Sequence, residues 1–137
     1  MTAEVLSRVL AAFPRERRSL LPALQAAQRS VGFLSEATLA EVASHLRVPV
    51  SEVWGVATHY PELRLTPHGR HHVRVCTGVS CALLGGSALL DGIAGRWQAT
   101  PGETGEGREL TLEAADCFFA CSMAPLVEVD GALYGRV

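Results

Sequence analysis

The sequence contains no apolar run approaching the roughly 18 residues that a membrane-spanning helix needs. Its first residues, Met1 to Val5, lack the basic start and apolar core of a secretory signal. With a net charge of −2, the chain has no general attraction for nucleic acid or anionic lipid. It has no Gly-x-Gly-x-x-Gly element to cradle a dinucleotide, no Cys-x-x-Cys of the dithiol redox enzymes, no Cys-x-His and no internal repeat. Together these absences predict a cytoplasmic protein without membrane insertion and without a nucleic-acid partner. In a reducing compartment, cysteines are expected as metal ligands or redox thiols rather than disulfides.

What is present is globular in composition: 48% of residues are hydrophobic and 19% charged, in a length suited to one domain or two small ones. The first part reads as helices. Leu6, Val9, Leu10 and Phe13 follow the spacing of one buried helical face, closed by Pro14. Leu20, Leu24, Ala27 and Val31 form a second stripe that Gly32 stops. Ser35 is placed to cap a third helix with Leu39, Val42, Ala43 and Leu46 inward. Pro49 and Ser51 open a fourth, with Val50, Val53, Trp54 and Ala57 inward and Pro61 at its end. Four short helices predict a small bundle over residues 1–62.

The period then changes. His72-Val73-Arg74-Val75 alternates polar and apolar and predicts a strand ending at Cys76. Ala82 to Ile93 reads as a helix despite Gly85-Gly86, Pro101 to Gly107 as a loop, and Leu110-Thr111-Leu112 as a short strand or turn. Leu126 to Val129 and Ala132 to Tyr134 flank Asp130-Gly131, the strongest hairpin signal in the chain. The result is an α+β reading in which helices precede a β-α-β-β unit at residues 70–137.

The four cysteines fall into two local pairs. Cys76 and Cys81 enclose Thr77, Gly78, Val79 and Ser80, while Cys117 and Cys121 enclose Phe118, Phe119 and Ala120. A cluster of two irons and two sulfides takes four thiolates, two on each iron, and two tight loops suit that need. Backbone N–H groups of the enclosed residues can then point at sulfur, and Met123 and Pro125 can shield the site from water. A four-cysteine zinc site uses similar spacings, so the spacing alone leaves both metals open.

Longer stretches carry a resemblance. Leu21 to Gln28, Val31-Gly32-Phe33-Leu34, Val53 to Tyr60, Pro67-His68-Gly69-Arg70, Val73 to Cys76, the two cysteine spacings and Ala124-Pro125 together resemble the small thioredoxin-like [2Fe–2S] subunits. These accompany the flavin subunit of respiratory complex I, NAD-dependent formate dehydrogenases, and bidirectional or electron-bifurcating hydrogenases. The resemblance implies a helical N-terminal bundle followed by a thioredoxin-like ferredoxin domain. It implies one [2Fe–2S] cluster, with Cys76 and Cys81 on one iron and Cys117 and Cys121 on the other. FMN and NAD(P) are then expected on a partner subunit, and this chain is an electron carrier without a catalytic residue of its own. Three departures stand out. Phe119 replaces a usual Gly, His59 replaces a usual Phe, and the short end at Tyr134 to Val137 is nearer the formate dehydrogenase type.

Rival readings are a redox-sensing DNA-binding protein built on Ala40 to Tyr60, a cluster-free scaffold, and the zinc protein. The first meets a recognition segment, Val50 to His59, that carries Glu52 and neither Lys nor Arg. Of the histidines, His68, His71 and His72 read as surface or strand-entry residues, and His59 as an interface residue. Trp54 and Trp97 read as core. The Arg15, Arg17, Arg18 run reads as a solvated face or a docking surface for an acidic partner.

Overall fold

The computed structural model describes residues 2–137; Met1, the first residue of the expected bundle, lies outside them. The chain divides between Pro67 and His68 into two compact units.

The first unit is helical. It consists of α1 (Thr2–Leu10), α2 (Leu20–Val31, preceded by a 3-10 turn at Arg17–Ser19), α3 (Glu36–Leu46) and α4 (Val50–His59). The stops and starts are those the sequence chemistry asks for. Gly32, at φ +90°, closes α2 by donating its N–H to the Gln28 carbonyl at 2.7 Å. Ser35 caps α3, its hydroxyl accepting from the Thr38 N–H at 3.2 Å. Leu6, Leu10, Leu24, Leu34, Leu39, Val42, Leu46 and Val53 make the core. Val50, expected inward, is exposed because it is the first residue of α4, a turn before the packed stretch begins. Arg17 and Arg18 of the basic run are paired with Glu52 and Glu16.

The second unit is a five-stranded sheet with helices: β1 (His71–Cys76), α5 (Val79–Leu83), α6 (Gly86–Trp97), β2 (Glu103–Thr104), β3 (Leu110–Ala115), β4 (Leu126–Val129) and β5 (Ala132–Gly135). The strand order is β2-β3-β1-β4-β5. β1 and β3 are parallel, Cys76 facing Ala115, and the remaining pairs are antiparallel. Parallel neighbours need a crossover, which α5 and α6 supply. Val73, Val75, Leu110, Leu112, Val127 and Val129 pack with Leu89, Leu90 and Ile93 of α6. The alternate residues of β1, His72, Arg74 and Cys76, therefore occupy the other face.

Four expectations change here. The single helix at 82–93 is two helices, broken at Gly85 (φ +97°). The loop at 101–107 contributes the edge strand β2, whose two residues are too few for a period to show. Trp97 is 65% exposed because it ends α6 beyond its packed stretch. His72, read as a surface or strand-entry residue, is the second residue of β1 and is buried. The hairpin forms where Asp130-Gly131 places it, with positive φ at both residues as a type I′ turn requires.

Candidate metal centre

β1 ends in Cys76, and the next turn leads through Thr77 and Gly78 into α5, which carries Cys81. Both cysteines are buried, at 2% and 1% exposure, in a small apolar cluster with Ala124 and Leu126. Phe118 and Ala120 of the second loop pack against that cluster, so the two loops meet. The close approach is built by glycine. A Cβ on Gly78 would lie 2.4 Å from the Asp116 carbonyl oxygen, and one on Gly86 2.6 Å from that of Cys76. The Gly85-Gly86 pair, a blemish in a helical reading, supplies a left-handed residue and then a residue with no room for a side chain.

The second pair is more open. Cys117 is half-buried and Cys121 exposed. The Phe119 N–H donates to Cys117 Sγ at 3.2 Å, the kind of N–H···S contact that tunes a thiolate. Phe119 has φ +57°, the left-handed region in which glycine is unstrained, and the residue is 93% exposed. That accounts for the glycine expected at this position. Phe118 instead lies beneath Arg74 of β1, the guanidinium carbon 5.2 Å from the ring centroid, while Arg74 also binds Glu128 at 3.1 Å.

The other predicted residues fall around these loops. Thr77 faces β3, its N–H and hydroxyl both donating to the Ala115 carbonyl at 2.8 and 3.3 Å. Ser80 and Pro125 are half-buried; Val79 is exposed at the start of α5, as are Met123, Leu83 and Leu84, which gives the site an apolar rim. Sequence reasoning missed Arg74, Asp116 and Gly86. Arg74 had one signal, its place on the polar side of the alternation in β1, but nothing in the sequence names its partners 44 and 54 residues away.

The donor set fits a thiolate-bound metal cluster. All four cysteines are free thiols, and Cys76 and Cys81 share one buried cluster, the Cys76 thiol donating to the Asp116 carbonyl at 3.9 Å. Burial pushes the Cys81 thiol up, the neighbouring Cys76 adds to this, the Leu126 N–H opposes it, and Cys121 contributes a further small rise. Thiols packed this closely resist ionising together unless a cation offsets their charge, which ferric or zinc ions do.

Comparison with known proteins turns on the family model for the thioredoxin-like [2Fe–2S] ferredoxin, which matches residues 6–137. The chain belongs to that family. It is 35% identical to an NADH-quinone oxidoreductase subunit of Rhizobium meliloti (strain 1021), over 98% of this chain and 80% of the relative. It is 28% identical to an NADH-quinone oxidoreductase subunit of Thermus thermophilus, over 96% of this chain and 74% of that one. Its fold matches a chain of an NAD+-reducing [NiFe]-hydrogenase with a TM-score of 0.77 at 22% identity, over 90% of this chain. The match spans only 21% of that hydrogenase chain. No helix among the described residues is long and apolar enough to cross a membrane.

Proposed function

We infer that this protein is an electron-transfer subunit that holds a single [2Fe–2S] cluster on Cys76, Cys81, Cys117 and Cys121. The observation that carries this reading is the burial of Cys76 and Cys81 together, with Phe118 and Ala120 of the second cysteine loop packed on them. When bound, such a cluster supplies a one-electron couple. The protein's own residues supply position and environment. Cys76 and Cys81 are kept from water by Leu126 and Ala124, while Cys117 receives the Phe119 N–H and Cys121 faces solvent. An asymmetric site of this kind presents one side for electron exchange and protects the other.

The relatives named above belong to NADH-quinone oxidoreductases. By analogy the partner is a flavin- and NAD(P)-binding subunit, which takes a hydride and passes electrons singly to this chain. The apolar rim of Val79, Leu83, Leu84, Phe119 and Met123 is the surface offered for that docking. No acid, base or nucleophile is required of this chain.

The test is electron paramagnetic resonance of anaerobically purified protein reduced with dithionite, together with iron, acid-labile sulfide and zinc analysis. A rhombic signal from a one-electron-reduced binuclear cluster, with equal iron and sulfide, is the expected result. Stoichiometric zinc with no signal would overturn the reading in favour of a zinc protein, and neither metal would leave a scaffold.

A further inference from the structure

A second group of metal-binding side chains lies on the sheet of the same unit, made of nitrogen and oxygen donors rather than sulfur. His72 and Glu113 occupy neighbouring parallel strands, on the face opposite the α6 core. His72 Nε2 is 2.9 Å from Glu113 Oε2, and His68 Nε2 is 3.8 Å from Glu113 Oε1. The two imidazoles meet edge to face with centroids 4.1 Å apart. One ligand atom from each of the three residues lies within 4.8 Å of the other two.

Each residue stands on backbone that is fixed independently. The His72 N–H donates to Asp130 Oδ1 at 2.8 Å. Glu113 lies two residues beyond Thr111, the strand partner of His72. His68 is held by its neighbour Gly69, whose N–H donates to Thr111 Oγ1 at 2.7 Å and whose Cβ, if it had one, would lie 2.9 Å from Arg108 O and Leu110 N. The His68 and His72 side chains are 13% and 9% exposed, whereas that of Glu113 is 32% exposed and leaves an approach from solvent. Neighbouring charges are engaged elsewhere, Asp130 with His71 and Arg74 with Glu128.

We propose that His68, His72 and Glu113 bind one divalent transition-metal ion of the zinc type, with a fourth position open to water. Two imidazoles and one carboxylate suit zinc, cobalt or nickel, whereas magnesium and calcium take shells of oxygen. Bonds of about 2.0–2.1 Å in a tetrahedral shell place donors about 3.3 Å apart. The observed spacings, 2.9 and 3.8 Å to the two oxygens of the Glu113 carboxylate, lie on either side of that value. A simple clamp between β1 and β3 needs only His72 and Glu113; His68 brings a second imidazole to the other oxygen of the same carboxylate. A bound ion ties β1, β3 and the segment entering β1 together, on the strand that ends in Cys76.

The experiment uses the full chain with its iron–sulfur content in place, incubated with one equivalent of zinc and dialysed. Zinc is then measured by elemental analysis and X-ray absorption at the zinc edge. The expected result is one zinc per chain in a nitrogen–oxygen shell at about 2.0–2.1 Å, without sulfur at about 2.3 Å. His68→Ala and Glu113→Gln each lower zinc affinity at least about tenfold while iron content stays unchanged. Zinc in a sulfur shell, zinc bound equally well by both variants, or no stoichiometric uptake would each overturn the site. Glu113→Gln keeps the side-chain shape, so it decides the matter if His68→Ala disturbs folding. Failure of the cysteine-held cluster appears separately, as missing iron and sulfide.

Discussion

The two cysteine pairs are held in opposite ways. Cys76 and Cys81 sit on the end of a central strand and inside a short helix, buried, with glycines forced on the chain around them. Cys117 sits on the loop after β3 and Cys121 opens a 3-10 turn (Cys121–Met123) before β4, one half-buried and one exposed, with a bulky residue in a left-handed conformation between them. The first pair is part of the core and the second is a flap closed over it. The difference teaches that the four cysteines proposed as ligands need not be equally built. Rigid elements fix one pair, and a loop carries the other.

The comparison breaks most sharply if the pairs are exchanged in importance by mutation. Cys81→Ser puts a hydroxyl into a buried apolar pocket and removes a proposed ligand, so complete loss of the reduced-cluster signal and poor folding are expected. Cys121→Ser replaces an exposed proposed ligand, and a diminished, spectrally shifted signal on a folded protein is expected. Equal loss in both variants, measured by paramagnetic resonance and circular dichroism, would dissolve the distinction between core and flap.

Next in size is Gly78→Ala. Its new methyl would lie 2.4 Å from the Asp116 carbonyl oxygen, which is backbone and cannot swing away. Overpacking of that kind costs about 1–3 kcal/mol, and here it also parts the two loops. Denaturant melts and iron content are expected to fall together. The smaller change Arg74→Ala removes the cation over Phe118 and the ion pair with Glu128, both partly exposed, at a combined cost of about 1 kcal/mol. Its mark is on the flap: cluster loss on exposure to oxygen becomes faster while loading under anaerobic conditions stays normal.

Much of this was legible in the sequence, and the reasons it was not complete are physical. The helical stripe of Leu39, Val42, Ala43 and Leu46 is local, so periodicity found it. The same holds for the hairpin, where Asp130-Gly131 dictates backbone geometry whatever surrounds it. The cysteine pairs were visible because their spacing is short. What was hidden is long-range. Arg74 over Phe118, Gly78 against Asp116, and His72 beside Glu113 join residues 38 to 44 positions apart, and sheet order decides those meetings. Trp97 shows the converse, since an aromatic residue at the end of a helix is not drawn into a core by its side chain alone. Phe119 was marked by the sequence as a departure, but only its positive φ says why a glycine suits the position.

Phe119→Gly therefore tests the flap from the other side. The residue is 93% exposed, so removal of its ring forfeits little burial, while the left-handed strain is relieved. A gain of up to about 1 kcal/mol in stability is expected, with cluster content unchanged and docking of a flavin partner weakened. A loss of stability would show that the ring packs on the flap.

The smallest effect concerns the frame beneath the first pair. Asp130 joins the β4–β5 hairpin to β1 by accepting from His71 and from the His72 N–H, both at 2.8 Å. The His71 contact first, and the His72 N–H second, hold its carboxyl below the usual carboxylate range. A depressed folded pKa means that Asp130 stabilises the fold above its unfolded value of about 3.9 and loses that contribution as pH falls through the lower folded value. Asp130→Asn keeps the shape without the charge, so it is expected to melt slightly below the parent at neutral pH and to converge with it once pH falls below the lowered folded value. A gap between the two melting curves that persists unchanged into acid would show that the frame depends on hydrogen-bond geometry rather than on the carboxylate charge.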